Sequence, residues 1–557
     1  MEQPSRPART RLQPDDDLGS LLRRLRGAAG LTQEELAAAA GLGVRTLRDL
    51  ELGVSARPQR RTVERLAAAL RVGPAERETL IERARTARIV GSGADRGDPG
   101  TAAAARSLPR DPPDFVGRAG ELRELLDAGP EGGITIVNGP PGAGKTTVVI
   151  HAAHLLTAAY ATVVYTELAD ATGTATPPGH VLGHLLTALG VESARIPADH
   201  GERLAAYRRL TSGRRGVLVL DNALDEQQVR PLLPVGTGWR VLISSRRELA
   251  GLPAAPRITV DALPEGEALR LLATAVGADR TAREPDAAAE LVALCGGLPL
   301  ALRVVANRLS SRPAWTLESL AERLRDARRR LDRLSAGDLD VRSAIATSYR
   351  HLPPAAQSAM RRLSLLPWPS HDDATLLALA GPDADPAVAG ALHDSGLLLP
   401  AGAPGRFRLH LLTALYCAEQ VTEDGATVQA EAVDRVCAPL LVTARAAADR
   451  LGPAPDAPGR PTGSQEPGRW TGSQEEAVTW LVEHHERWWW ATLRLAERGR
   501  RRELLVTAES LSHLARRRRT LLPWHELFTR SVAAAVTLAD RAAEARHRSH
   551  LELAVRP

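Results

Sequence analysis

A chain of 557 residues is long enough for about three to five domains, so no single site accounts for it. Its 44% hydrophobic, 25% charged and 3% aromatic residues fit ordinary globular usage and exclude wholesale disorder and a fibrous protein. The net charge of +6 is concentrated: residues 1–90 hold 17 arginines against 12 carboxylates, which points the N-terminal region toward a polyanion. No apolar run reaches the roughly 18 residues of a membrane span, and MEQPSRPARTRLQPDDD lacks an apolar stretch behind its basic residues. A cytoplasmic protein without a membrane partner is therefore expected. Cys295, Cys417 and Cys437 stand far apart with no CxxC spacing, which suits a reducing compartment and supports no cysteine metal site.

In chain order, Leu and Ala at helical spacing over 17–88 predict a small helical domain, followed by a Gly/Pro/Ala-rich linker over 89–113. From 114 to 252, short β-branched runs alternate with helical stretches, the pattern of a parallel sheet with crossover helices. Residues 253–334 read as a helical subdomain, 335–425 as a mixed one, and 426–557 as a helical C-terminal region with a linker near 452–474. That linker contains a short duplication, RPTGSQEPG and RWTGSQEEA, and Ser473 with Glu476 has capping-box spacing.

Within the first domain, Thr32 and Glu35 make a capping-box start, Gly41 to Gly43 supply a tight turn, and Val44 opens a second helix. Val44, Leu47 and Leu50 fall on one side, which turns Arg45 and Asp49 outward with Thr46 and Arg48 beside them, toward base edges. Gln33, Arg57, Arg60 and Arg61 are placed to hold phosphates. The stretch Leu18 to Glu82 resembles the XRE (Cro/repressor-like) helix-turn-helix family, with Gly43 and Leu52 where that family more often has Ser and Arg. The resemblance implies a double-stranded DNA operator as partner.

The strongest signal is the strand Ile134 to Val137 running into NGPPGAGKTT, where Gly139, Gly144, Lys145 and Thr146 match GxxxxGK[ST] and Gly142 and Thr147 lie within the same loop. Glycines let backbone N–H groups converge on phosphates, Lys145 reaches the β- and γ-phosphates, and Thr146 takes a Mg²⁺ position. Lys145 is the only lysine in the chain, every other basic position being arginine. A compact ammonium on a flexible stem fits this cradle where a planar guanidinium fork does not. The strand Val217 to Leu220 ends in Asp221, the second expected Mg²⁺ ligand. Asn222 follows it and cannot act as a base, so hydrolysis is expected to be slow, with Asp225 or Glu226 as weak substitutes. VLISSRR places Arg246 to sense a γ-phosphate, so Lys145, Asp221 and Arg246 form the candidate catalytic set.

These motifs, in this order, resemble the NB-ARC class of STAND signal-transduction ATPases. FVGR (Phe115 to Arg118) looks like the entry motif, implying that Val116, Gly117 and Arg118 bind nucleotide. CGGLPLAL looks like the GLPL motif and implies adenine contact by Pro299. RFRLHLLTALY resembles the winged-helix MHD motif, implying a β-phosphate contact by His410, although Leu411 replaces the usual aspartate. The implied function is a transcription regulator that ADP closes and ATP opens for self-association, in response to an unidentified inducer. A DNA-stimulated ATPase motor and an ATP-assembled defence-signalling scaffold are the alternative readings. The expected fold class is multidomain: an all-α helix-turn-helix, an α/β P-loop module with helical and winged-helix subdomains, and an α-helical C-terminal region.

Overall fold

The structure, a computed structural model, describes residues 18–29, 31–40, 47, 50–51, 60–70, 72–73, 106–127, 133–170, 173–252, 255–452 and 470–555. The chain divides into two compact units, Met1–Pro109 and Arg110–Pro557.

In the first unit, α1 (Leu18–Ala28), α2 (Gln33–Ala40) and α3 (Arg60–Ala69) close around Leu22, Leu36, Leu47, Leu50 and Leu66. Leu47 and Leu50 are both buried, as their three-residue spacing predicts. The capping box forms: the Thr32 N–H donates to Glu35 at 2.8 Å, and the Glu35 N–H donates to the Thr32 hydroxyl at 3.2 Å. Burying the Glu51 carboxylate requires partners, and it accepts from Arg26 Nε at 2.6 Å and Gln33 Nε2 at 2.7 Å.

In the second unit, five strands pair in parallel: β1 (Ile134–Asn138), β2 (Val163–Glu167), β3 (Gly216–Ala223), β4 (Trp239–Ser245) and β5 (Arg257–Thr259). Their spatial order is β2-β3-β4-β1-β5. The near-continuous apolar strands follow from burial on both faces. One face packs against the helices Pro178–Ala188 and His200–Thr211 through Leu182, Leu185 and Tyr207, and the helix after β1 covers the other. An α/β nucleotide-binding architecture thus stands behind an all-α helix-turn-helix unit and ahead of a helical region.

From Leu263 onward one continuous apolar core runs through the helices up to Ala543. Two antiparallel strands, Leu398–Pro400 and Phe407–Leu409, form a hairpin beside it. Trp488, Trp489 and Trp490 point in different directions along their helix, so they cannot make one stacking surface. Trp488 and Trp489 meet Trp524, at ring separations of 6.2 Å and 5.7 Å, and Trp490 meets Trp368 at 5.7 Å. Ser473 and Glu476 form the expected capping box.

His371 is buried between Trp368 and Phe407, and burial, aided by Arg406, holds its pKa down to about 4. An unfolded chain binds a proton there near pH 6.5, whereas the folded one does so only near 4. Stability should therefore fall by about 3 kcal/mol as pH drops from 6.5 to 4 and level off below. Denaturant melts of wild type and His371→Leu across that range check this: the variant should lose about 3 kcal/mol of the acid-side fall, while the buried His410, His547 and His550 keep theirs.

Candidate functional site

β1 ends at Asn138, and the chain then turns through Gly139 (φ 140°), Gly142 (φ 79°) and Gly144 (φ 92°) into a helix, Lys145–Leu156. A side chain at Gly139 would meet the Val260 carbonyl at 2.1 Å, so only glycine fits that position. Gly144 provides no side-chain cap, so the N–H groups of the first helical turn face the loop with no intrahelical partner. This cradle matches the chemistry of a phosphate group.

The Lys145 ammonium lies buried in the loop, donating to the Gly139 and Pro140 carbonyls at 2.8 Å and 2.9 Å. Burial, and then the neighbouring Arg246 charge, push it down to about 7, against the pull of Asp221. Asp221 gathers three hydroxyl donors. Thr146 donates to one carboxylate oxygen at 2.9 Å, Tyr165 donates to the other at 2.8 Å, and Ser244 also donates to the first. Thr146 and Asp221 bring a hydroxyl and a carboxylate oxygen together at the end of a buried strand, beside the phosphate cradle, and both are oxygen donors of the kind a Mg²⁺ ion accepts.

Register explains the cluster. Glu167 pairs with Asp221 across β2 and β3, and the β3–β4 ladder shifts between Leu220 and Ala223. The shift puts Asn222 at φ 58° and lets Ser244 accept its N–H at 2.9 Å. The Asn222 side chain turns to the Ala169 carbonyl. Asp225 caps the next short helix at Gln228, and Glu226 accepts from Gly251. Both carboxylates proposed as substitute bases thus hold structural hydrogen bonds.

The entry and GLPL motifs brace the loop. The Arg118 guanidinium donates to the Ala143 carbonyl at 3.2 Å and to the Asp261 carbonyl, while its ion pair is with Glu121. Gly117 lies against Glu267, and Val116 packs on the helical core. Leu300 donates to the Gly142 carbonyl at 3.1 Å, and Pro299 opens its helix beside Gly144. Thr147 lies in the first turn of the P-loop helix. The His410 imidazole is buried, which holds its pKa below the ordinary value. Its Nδ1 accepts from the Leu412 N–H, so its Nε2 donates to the Gly296 carbonyl at 2.9 Å. The two ring bonds of His410 thus go to the start of its own helix and to the GLPL turn rather than to the Gly139–Gly144 loop, and Leu411 is exposed.

Three positions beyond the motifs complete the site. Gly396 (φ 67°) sits where an added Cβ would lie 2.3 Å from the Arg246 carbonyl and 3.0 Å from the Gly139 carbonyl. Arg246 donates to Ser348 at 3.3 Å, and His151 stacks on Phe115 with its Nδ1 at 2.9 Å from Asp111. The hairpin segment therefore touches both the phosphate loop and the sensor strand. Gly396 stands in the unremarkable run HDSGLLLP, which offers no signal in sequence.

Of the DNA-facing candidates, Arg45, Thr46, Arg48, Asp49 and Arg57 lie outside the described residues. Arg60 and Arg61 begin α3, without described side chains, and the Gln33 amide is held by Glu51. Among the described residues, no group of three or more His, Cys, Asp or Glu is arranged to hold a metal, and no helix is long and apolar enough to cross a membrane.

Fold and site together define a helix-turn-helix unit joined in one chain to a P-loop NTPase-type α/β module with a helical C-terminal region. Residues 17–80 match the helix-turn-helix domain family model. The chain is similar to the regulatory protein AfsR of Streptomyces griseus, 42% identical over 326 residues, covering 56% of this chain and 33% of that protein. It is also similar to AfsR of Streptomyces coelicolor, 39% identical over 335 residues, covering 57% and 34%. The chain thus spans about a third of the length of these curated relatives. Similar solved structures include a STAND protein with a tetratricopeptide repeat sensor from Pyrococcus horikoshii, with a TM-score of 0.28, 15% identity and coverage of 81% and 65%.

Proposed function

We propose that this protein is a DNA-binding transcription regulator switched by ADP and ATP. Residues 17–88 read an operator, 114–252 bind nucleotide, 253–334 and the winged-helix segment 335–425 close over it, and 426–557 form a helical C-terminal region; the inducer is unidentified. The observation that supports this most is the seating of Gly396 on the Gly139 and Arg246 carbonyls. Arg246, which this reading assigns to sense the γ-phosphate, also contacts the 335–425 segment through Ser348. A change at the phosphate end therefore alters contacts that hold the closed shape, the differential interaction a ligand-driven switch requires.

Backbone N–H groups at Gly142, Gly144, Thr146 and Thr147 hold the phosphates, with Lys145 as their cation. Val116, Gly117, Arg118 and Pro299 frame the base, and His410 ties the winged-helix segment to the GLPL turn. Thr146 and Asp221 would hold Mg²⁺, which would supply positive charge beside the nucleotide phosphates. With Asn222, Asp225 and Glu226 all engaged elsewhere, hydrolysis is slow and acts as a reset.

On the DNA side, this reading assigns base contacts to Arg45, Thr46, Arg48 and Asp49 and phosphate contacts to Gln33, Arg57, Arg60 and Arg61. Selection of bound duplexes from a random pool, with ADP and with a non-hydrolysable ATP analogue, tests the reading. One consensus should emerge, bound more tightly in one nucleotide state; equal enrichment of unrelated sequences in both states would overturn it. Against that consensus, Arg45→Ala should cost about 1–3 kcal/mol while leaving random-sequence affinity unchanged. Competition binding on the two duplexes measures both quantities.

A further inference from the structure

Away from the nucleotide site, arginines gather on the helical subdomain. The C-terminal turns of three helices, Pro299–Ser311, Leu317–Arg325 and Ala327–Arg333, carry Arg308, Arg323 and Arg333, and Arg312 caps the first. An open groove of about 690 Å³ runs past Asn307, Arg308, Ser311, Arg312 and the turn Ser335 to Gly337. Trp315 is clasped by two guanidinium groups, with Arg312 4.6 Å and Arg323 4.2 Å from its ring. Arg308 is oriented by donating to the Ser335 carbonyl at 3.1 Å and 2.9 Å.

The charge here is not neutralised within the protein. Among the described residues, Arg308, Arg312, Arg323 and Arg333 have no ion-pair partner, while Glu318, Asp326 and Asp332 nearby pair with Arg325, Arg329 and Arg342. Burial and the three neighbouring arginines all hold the Arg308 guanidinium below its ordinary value. Helix C-termini, an aromatic ring and a backbone carbonyl keep four cations together, none of which removes their attraction for an anion. Trp315 already carries two guanidinium groups over its ring, so it offers no free platform for base stacking; Arg312 and Arg323 are exposed and remain for phosphate oxygens.

We propose that this groove binds the phosphate backbone of double-stranded DNA, independently of sequence, as a second contact in addition to that of the helix-turn-helix. The inference rests on reading the protein as DNA-binding, since that supplies the duplex. Such a contact adds affinity and salt dependence without adding specificity.

The test uses the full chain and a random-sequence duplex, with affinity followed against salt. Removing two phosphate contacts in Arg312→Gln/Arg323→Gln should lower the slope of log affinity on log salt by about 1.8. Arg312→Lys/Arg323→Lys, which keeps the charge, should retain the wild-type slope. An unchanged slope in the Gln variant would overturn the proposal, as would loss of binding to a polyglutamate peptide with duplex binding intact, which would assign the groove to an acidic protein. Arg45→Ala separates the two readings. Loss of operator preference there, with no slope change in the Gln variant, leaves the helix-turn-helix reading standing and removes this one. A lowered slope with operator preference untouched by Arg45→Ala does the reverse.

Discussion

Lys145→Ala should abolish stable nucleotide retention. The ammonium is the one cation inside the phosphate loop, buried between the Gly139 and Pro140 carbonyls. A charge-assisted bond of this kind contributes about 1.5–3 kcal/mol, or roughly 10- to 150-fold in affinity. Denaturing protein purified without added nucleotide and identifying what is released should give near-stoichiometric ADP from wild type and little from the variant. Titration calorimetry then measures the difference. The fold should persist, because alanine removes a buried charge without opening the helix. Equal ADP from both proteins would mean that the loop does not govern retention.

Gly396→Ala should open the closed arrangement. Its φ of 67° costs a non-glycine residue about 1–2 kcal/mol, and the new methyl would also press on the Arg246 carbonyl from 2.3 Å. Gly402 supplies the control: it has the same φ of 67°, but a Cβ there meets nothing within 4 Å. Gly402→Ala therefore carries the backbone cost alone. Subtracting its effect isolates the contact between the hairpin segment and the nucleotide loop. Release of bound ADP, followed by exchange with a fluorescent analogue, should be at least tenfold faster in Gly396→Ala than in Gly402→Ala. Equal rates would show that the contact does not restrain exchange.

Much of the site was legible in the sequence because its parts are contiguous. A strand, a glycine loop and a lysine announce a phosphate cradle within the twelve residues from Ile134 to Lys145, and an apolar strand ending in Asp221 announces its companion. Fold class followed from the same alternation of β-branched runs and helices. What escaped was set by register and by long-range packing. Ser244 and Tyr165 meet Asp221 only because β4 and β2 flank β3 with particular pairings, which no local pattern encodes. Gly396 escaped for a related reason, since its constraint comes from carbonyls about 150 and 250 positions earlier in the chain. Thr32, Ser473 and the buried Leu47 and Leu50 were readable because capping and helical spacing are local.

Under the proposed function, nucleotide identity sets the shape of residues 110–557. Light scattering on the full chain after size exclusion, saturated with Mg²⁺ and either ADP or a non-hydrolysable ATP analogue, tests it most directly. A compact monomer with ADP and a larger species of defined mass with the analogue is the expected result, and Lys145→Ala should respond to neither nucleotide. Identical mass and hydrodynamic radius in both nucleotides, with binding of each verified, would contradict a nucleotide-driven switch.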